Sequence, residues 1–105
     1  MAEKGPISRV YFAKLKEAWH KLSEEEKIEF MRKDSEKLDE LGCTFKTFDC
    51  SWSTEEWQFF AVEEWPSIEA IEKITKFHEE ELEISRYIES KAYLGTLVID
   101  EYDQK

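Results

Sequence analysis

Four short segments of this 105-residue chain read as β-strands, and each carries large apolar side chains at odd and even positions alike. In SRVYFAKL (8–15), Tyr11, Ala13 and Leu15 fall on one side and Val10 and Phe12 on the other. In CTFKTFDCSW (43–52), Cys43, Phe45 and Thr47 oppose Phe48, Cys50 and Trp52. In WQFFAVEEW (57–65), Trp57, Phe59, Ala61, Glu63 and Trp65 oppose Gln58, Phe60, Val62 and Glu64. In KAYLGTLVI (91–99), Ala92, Leu94, Thr96 and Val98 oppose Tyr93, Gly95, Leu97 and Ile99. Successive strand side chains point to opposite faces. A sheet made of these strands is therefore apolar on both sides, and both sides need cover.

Only two long helices are available to cover it. Ser23 followed three residues later by Glu26 forms a capping box, and Glu24 and Glu25 suit the positive end of a helix dipole. Ile28, Met31, Leu38 and Leu41 recur at helical spacing, with Ser35 on the same stripe, and Gly42 supplies a stop. The first helix is thus expected over 23–41. After Pro66, Ser67 is a cap for a second helix carrying Ile68, Ile71, Ile74 and Phe77. The acidic run 79–81 marks a break or a helix restart with Leu82, Tyr87 and Ile88. Strands 43–52 and 57–65, joined by a short polar loop, should pair as an antiparallel hairpin.

The order β-α-β-β-α-β is the ferredoxin-like, split βαβ pattern, an α+β fold with both helices on one face of a four-stranded antiparallel sheet. The other face would be left as an exposed apolar patch, which soluble monomers rarely carry. The economical cover is a second copy, giving a homodimer whose sheets meet as a dimeric α+β barrel.

Composition excludes several classes of function. With 15 basic and 25 acidic residues the net charge is −10, so neither nucleic acid nor an anionic membrane is an expected partner. An aromatic content of 14% is too high for a disordered acidic chain. A single domain over 1–105 is expected, with 1–7 and 100–105 as flexible tails. No secretory or membrane-spanning stretch is visible, and the expected compartment is cytoplasmic. Cys43 and Cys50, seven apart, would lie on opposite strand faces as reduced thiols. No metal-ligand spacing or glycine-rich phosphate loop is present, so no cofactor is implied by motif.

The junction EEWPSIEAIEKITKFH resembles the strand end, short turn and helix start of dimeric α+β-barrel proteins, with a later helix histidine. LKEAWHKLSEEEKIEFM is similar to the start of the darcynin-like and related small barrel proteins, and SRYIESKAYLG resembles the turn before their last strand. The wider superfamily includes antibiotic-biosynthesis-type monooxygenases, muconolactone isomerases, haem-degrading monooxygenases and polyketide cyclases. The resemblance implies a ligand cavity in each half-barrel, between sheet and helices or within the sheet-lined interior. It does not imply one reaction. Haem degraders of this kind use a helix histidine, a Trp and an Asn. His78 matches the histidine, the Trp is unmatched, and the chain contains no Asn.

Three residues are candidates for moving protons. His20 would stand in a loop at the cavity mouth, either as an acid–base group or as a solvated histidine. His78 would face the cavity or the acidic surface. Glu63 falls among aromatics, where desolvation would raise its pKa and suit it to proton transfer, unless the strand end is wet. Glu64 takes that place if the register slips by one. Tyr11, Trp19, Trp57, Phe59, Trp65, Tyr87 and Tyr93 are candidates to line an apolar pocket, or else to serve as core or interface. The leading expectation is a small-molecule-binding dimer, open to cofactor-independent monooxygenase, isomerase or cyclase chemistry. The alternatives are a non-catalytic dimer with a filled interior and a haem-binding protein acting through His78.

Overall fold

The computed structural model describes residues 6–98. It contains β1 (Ile7–Leu15), α1 (Glu17–His20), α2 (Glu24–Glu40), β2 (Thr44–Asp49), β3 (Phe59–Trp65), α3 (Ile68–Glu80), α4 (Ile84–Tyr87) and β4 (Ile88–Thr96). The four strands form one antiparallel sheet in the order β2-β3-β1-β4. The expected α+β, ferredoxin-like fold is present. The tail 100–105, residues 1–5 of the other tail, and Ile99 lie outside the described residues; Ile7 already belongs to β1.

The helix ends follow the sequence signals. Ser23 Oγ accepts from the Glu26 N–H at 3.1 Å, and the Glu26 carboxylate accepts from the Ser23 N–H at 2.8 Å, closing the capping box. Gly42 takes φ 82°, the left-handed conformation that ends α2 at low cost. A side chain there would also meet the Pro66 ring at 3.4 Å. Ser67 caps α3 by accepting from the Ala70 N–H at 3.1 Å.

The inward face of α2 differs from the expected stripe. Leu38 is buried, and Phe30, Asp34 and Leu41 are partly buried beside it. Ile28 is 60% exposed and Met31 54% exposed. The working stripe is 30-34-38-41, which also fits a helical period. Both stripes contain apolar residues, and an aspartate within the second disguises it.

Strand bounds shift for local reasons. β2 stops at Asp49, whose carboxylate accepts from the Ser51 N–H at 2.9 Å and from its hydroxyl at 2.7 Å, turning the chain. Trp57 falls outside β3, which starts at Phe59. β4 starts three residues before the expected position because Ile88 pairs with Leu15, at the far end of β1. α1 is a four-residue helix pinned by buried Trp19, too short to leave a periodic signal.

The core fills one end of the layer between sheet and helices. Ile7, Trp65 and Cys43 meet Leu38 from α2 and Ala70, Ile71 and Ile74 from α3. Fully burying a side chain such as Ile74 stabilises by ~1.5–3 kcal/mol. Cys43 and Cys50 are both buried free thiols, but they flank β2 rather than occupying opposite faces of it, because the strand runs only from Thr44 to Asp49. Among the described residues, no helix is long and apolar enough to cross a membrane.

Candidate functional site

At the other end of the same layer, sheet and helices do not meet. A cavity of about 440 Å³ remains between the sheet, α2 and α3. Strand register explains the gap. Tyr11 of β1 stands in a row with Ala61 of β3 and Thr47 of β2. Two small side chains beside one large ring leave space that the helices do not fill. The next row places Arg9 beside Glu63 and Phe45. Phe59 adds to the sheet wall, Phe30, Met31, Asp34, Leu38 and His78 form the helix wall, and Trp19, Ile84 and Ile88 lie at one end.

Two polar pairs stand in this mostly apolar space. The Arg9 guanidinium donates through Nε to Glu63 Oε1 at 2.6 Å. The same oxygen accepts from Trp65 Nε1 at 2.8 Å. Arg9 also lies over the rings of Tyr11 and Trp65, at 5.0 and 5.4 Å from their centroids. On the helix side His78 Nε2 lies 2.7 Å from Asp34 Oδ1. This contact joins α3 to α2. Burial pushes the Tyr11 phenol above its ordinary value of 10.0, against the opposing effects of Ser90 and Arg9. Burial also pushes the Cys43 thiol up to about 12, which keeps it protonated and unreactive near neutral pH.

The sequence candidates divide. Glu63, His78, Tyr11, Trp19 and Phe59 all line the cavity. Trp65 is buried behind it as the hydrogen-bond donor to Glu63. Glu63 is buried as expected, but it is not an isolated carboxylate, because Arg9 stands directly across from it on β1. A slip of register does not occur: Glu64 is on the opposite face, exposed, and accepts from Ser8 Oγ at 2.9 Å.

Four candidates are placed elsewhere. His20 is the exposed last residue of α1, not a loop residue, and it does not line the cavity. Its neighbour Trp19 takes the inward position on that single turn. Trp57 precedes β3, so the strand alternation does not reach it, and its ring lies 6.0 Å from Phe12 on the opposite face of the sheet. Tyr93 pairs with Val10 and shares that opposite face, 55% exposed. Tyr87 packs edge-on to Phe30 at 5.7 Å and lines a separate open groove beside acidic residues of α2.

Arg9 and Asp34 were missed. Arg9 could have been found from the alternation of β1, which puts it on the side of Tyr11 and Ala13. Asp34 could have been found only by choosing the other stripe of α2.

No family model and no curated protein matches the sequence. Solved structures do match the fold. A protein assigned as a chlorite dismutase superposes with a TM-score of 0.70 at 22% identity, over 93% of this chain and 47% of its own. The chlorite dismutase of Candidatus Nitrospira defluvii, as its imidazole complex, gives a TM-score of 0.72 at 10% identity, over 96% and 43%. A haem-binding protein from Thermus thermophilus gives 0.70 at 14%, over 90% and 41%. The chain therefore shares the fold of chlorite dismutase-like α+β barrels and spans less than half the length of these matches.

Proposed function

We propose that this chain binds an apolar or aromatic small molecule in the cavity between its sheet and α2 and α3. The observation that carries this reading is the cavity itself: about 440 Å³, lined by Phe30, Phe45 and Phe59, with two polar pairs placed in it. That volume lies toward the small end of known ligand pockets, and suits a ligand of one or two rings. It favours a ligand-binding protein over a dimer with a filled interior.

A catalytic version of the reading assigns proton transfer to His78, oriented by Asp34, with Glu63 as the second group. The reaction class would be cofactor-independent, of the monooxygenase, isomerase or cyclase kind. The closer likeness to darcynin-like proteins rests on LKEAWHKLSEEEKIEFM and belongs to the same proposal.

The assembly proposed with this function is a homodimer. Val10, Phe12, Phe48, Phe60, Val62 and Tyr93 share the sheet face that carries no helix. A second copy presenting the same face would cover them.

Haem is the second reading. It is favoured by His78 on the cavity wall and by the haem-binding protein among the fold matches. As the side chains stand, the residues do not fit it, because His78 Nε2 is already bonded to Asp34. A haemin titration of the wild type and His78→Ala separates the two. A Soret shift lost in the variant establishes haem binding, and no shift in either removes it.

Ala61→Phe tests the main reading. Ala61 is buried in the floor of the cavity, and a phenyl ring there occupies the space a ligand would need. Wild type should bind one- and two-ring aromatic compounds in an NMR titration, and a folded Ala61→Phe should not. Equal binding by both would place the ligand elsewhere and contradict the cavity reading.

A further inference from the structure

Among the described residues the Arg9–Glu63 pair is only partly satisfied, and what remains unsatisfied describes a ligand. Arg9 is 6% exposed and Glu63 5% exposed. A guanidinium has five N–H donors, one on Nε and four on the two Nη atoms. Nε is bonded to Glu63 Oε1, and among the described residues neither Nη has a protein acceptor. Glu63 Oε1 takes two donors, Arg9 Nε and Trp65 Nε1, while Oε2 takes none among the described residues. No side-chain polar atom of a described residue is both sealed from solvent and unpartnered. The Nη groups and Oε2 are therefore not fully sealed from solvent, and both residues line the cavity. The protein thus offers donors and an acceptor side by side in an apolar chamber.

Charge decides which head group this suits. Among the described residues the cavity holds one permanent cation, Arg9, and two carboxylates, Glu63 and Asp34, with His78 bonded to the second. The Arg9 charge is already balanced by Glu63. A ligand carboxylate would meet Arg9 but also face Glu63, with no second permanent cation to compensate. A ligand cation would meet Glu63 but also face Arg9. Either would bring an uncompensated charge into a desolvated space. A neutral group with adjacent acceptor and donor meets both needs, its acceptor taking the Nη protons and its N–H or O–H going to Oε2.

We propose that Arg9 and Glu63 form a head-group site for a neutral, flat ligand bearing a paired acceptor and donor, such as an aromatic carboxamide, lactam or hydroxyketone. The aromatic body lies among Phe45, Phe59 and Phe30. The inference rests on the cavity reading and adds to it the polarity of the ligand.

Four probes of one shape test it: 2-naphthamide, 2-naphthoate, 2-naphthamidinium and 2-methylnaphthalene, titrated against the wild-type protein by saturation-transfer NMR. The amide should bind about tenfold or more tightly than the anion, the cation and the hydrocarbon, the range expected for satisfying buried polar groups. Glu63→Gln removes the balancing charge, so in a folded variant the preference should pass from amide to naphthoate. Equal affinities for all four, or naphthoate as the tightest ligand of the wild type, would overturn the head-group proposal and leave the cavity reading standing. Binding of none of the four would overturn the cavity reading itself. The wild-type panel decides the proposal even where Glu63→Gln fails to fold.

Discussion

The two faces of this sheet are built on opposite plans. On the helix-free face, rings follow one another: Trp57 to Phe12 at 6.0 Å, Phe12 to Phe60 at 5.7 Å, and Phe60 stacked on Phe48 at 5.1 Å. Phe48 is still 43% exposed. On the helix face small or polar side chains, Ala13, Ala61, Thr47, Arg9 and Glu63, stand between the rings of Tyr11, Phe45 and Phe59. Helices cover that face and yet leave a cavity. A continuous row of rings suits another protein surface, because rigid aromatics bury much area at little entropic cost. A recess with buried, half-satisfied polar groups suits a small molecule. Strand alternation thus puts the aromatic row and the cavity on opposite sides of the same strands.

The largest expected effect comes from breaking the polar pair on the helix face. Arg9→Ala leaves Glu63 buried without its cation and should cost about 3–5 kcal/mol in urea unfolding. A loss below about 1 kcal/mol, the range of a solvent-exposed pair, would mean that the pair is wet and the helix face is not a desolvated chamber.

On the other face, Phe60→Glu puts a charge in the middle of the aromatic row. It should convert a dimer into a monomer of about 12.6 kDa by light scattering, while leaving cavity binding intact. A wild-type protein that is already monomeric would remove the interface assigned to that face.

Alkaline pH gives a smaller effect, confined to the helix layer. Cys43 and Tyr11 both have folded-state pKa values raised by burial. Each holds its proton more tightly folded than unfolded. For Cys43 the contribution is fully present below the unfolded value of 9.0 and is lost as pH rises from there to about 12, because the thiol ionises first in the unfolded chain. Unfolding midpoints should fall from about pH 9 upward, and Cys43→Ala should flatten that fall.

The smallest effect lies away from both faces. Ser23→Ala removes the capping box and should cost about 1 kcal/mol, without altering the oligomeric state or ligand binding.

Much of this organisation was legible in the sequence, and the reasons for the rest are local. Strand alternation set Tyr11 apart from Phe12 within one strand and Glu63 apart from Phe60 within another, because side chains repeat with a period of two; that Tyr11 and Glu63 share a sheet face comes from the β1–β3 register. The caps at Ser23 and Ser67 were legible because their side chains act on the nearest backbone. Trp57 and His20 were misplaced because each sits at or just past an element end, where a turn resets the direction of the side chain. The inward stripe of α2 was hidden because Asp34 is acceptable there only through His78, a partner 44 residues away. Glu63 was identified as buried, but its partner Arg9 comes from a different strand, and pairing of β1 with β3 is not written in either segment alone.

The division of labour between the faces can be tested directly with methyl-resolved NMR during a titration with 2-naphthamide. Binding in the cavity should shift the methyl signals of Ala61, Met31, Leu38 and Ile84, and leave those of Val10 and Val62 in place. Shifts centred on Val10 and Val62, with Ala61 and Leu38 unmoved, would put the ligand on the aromatic face and contradict the separation of ligand site from protein interface.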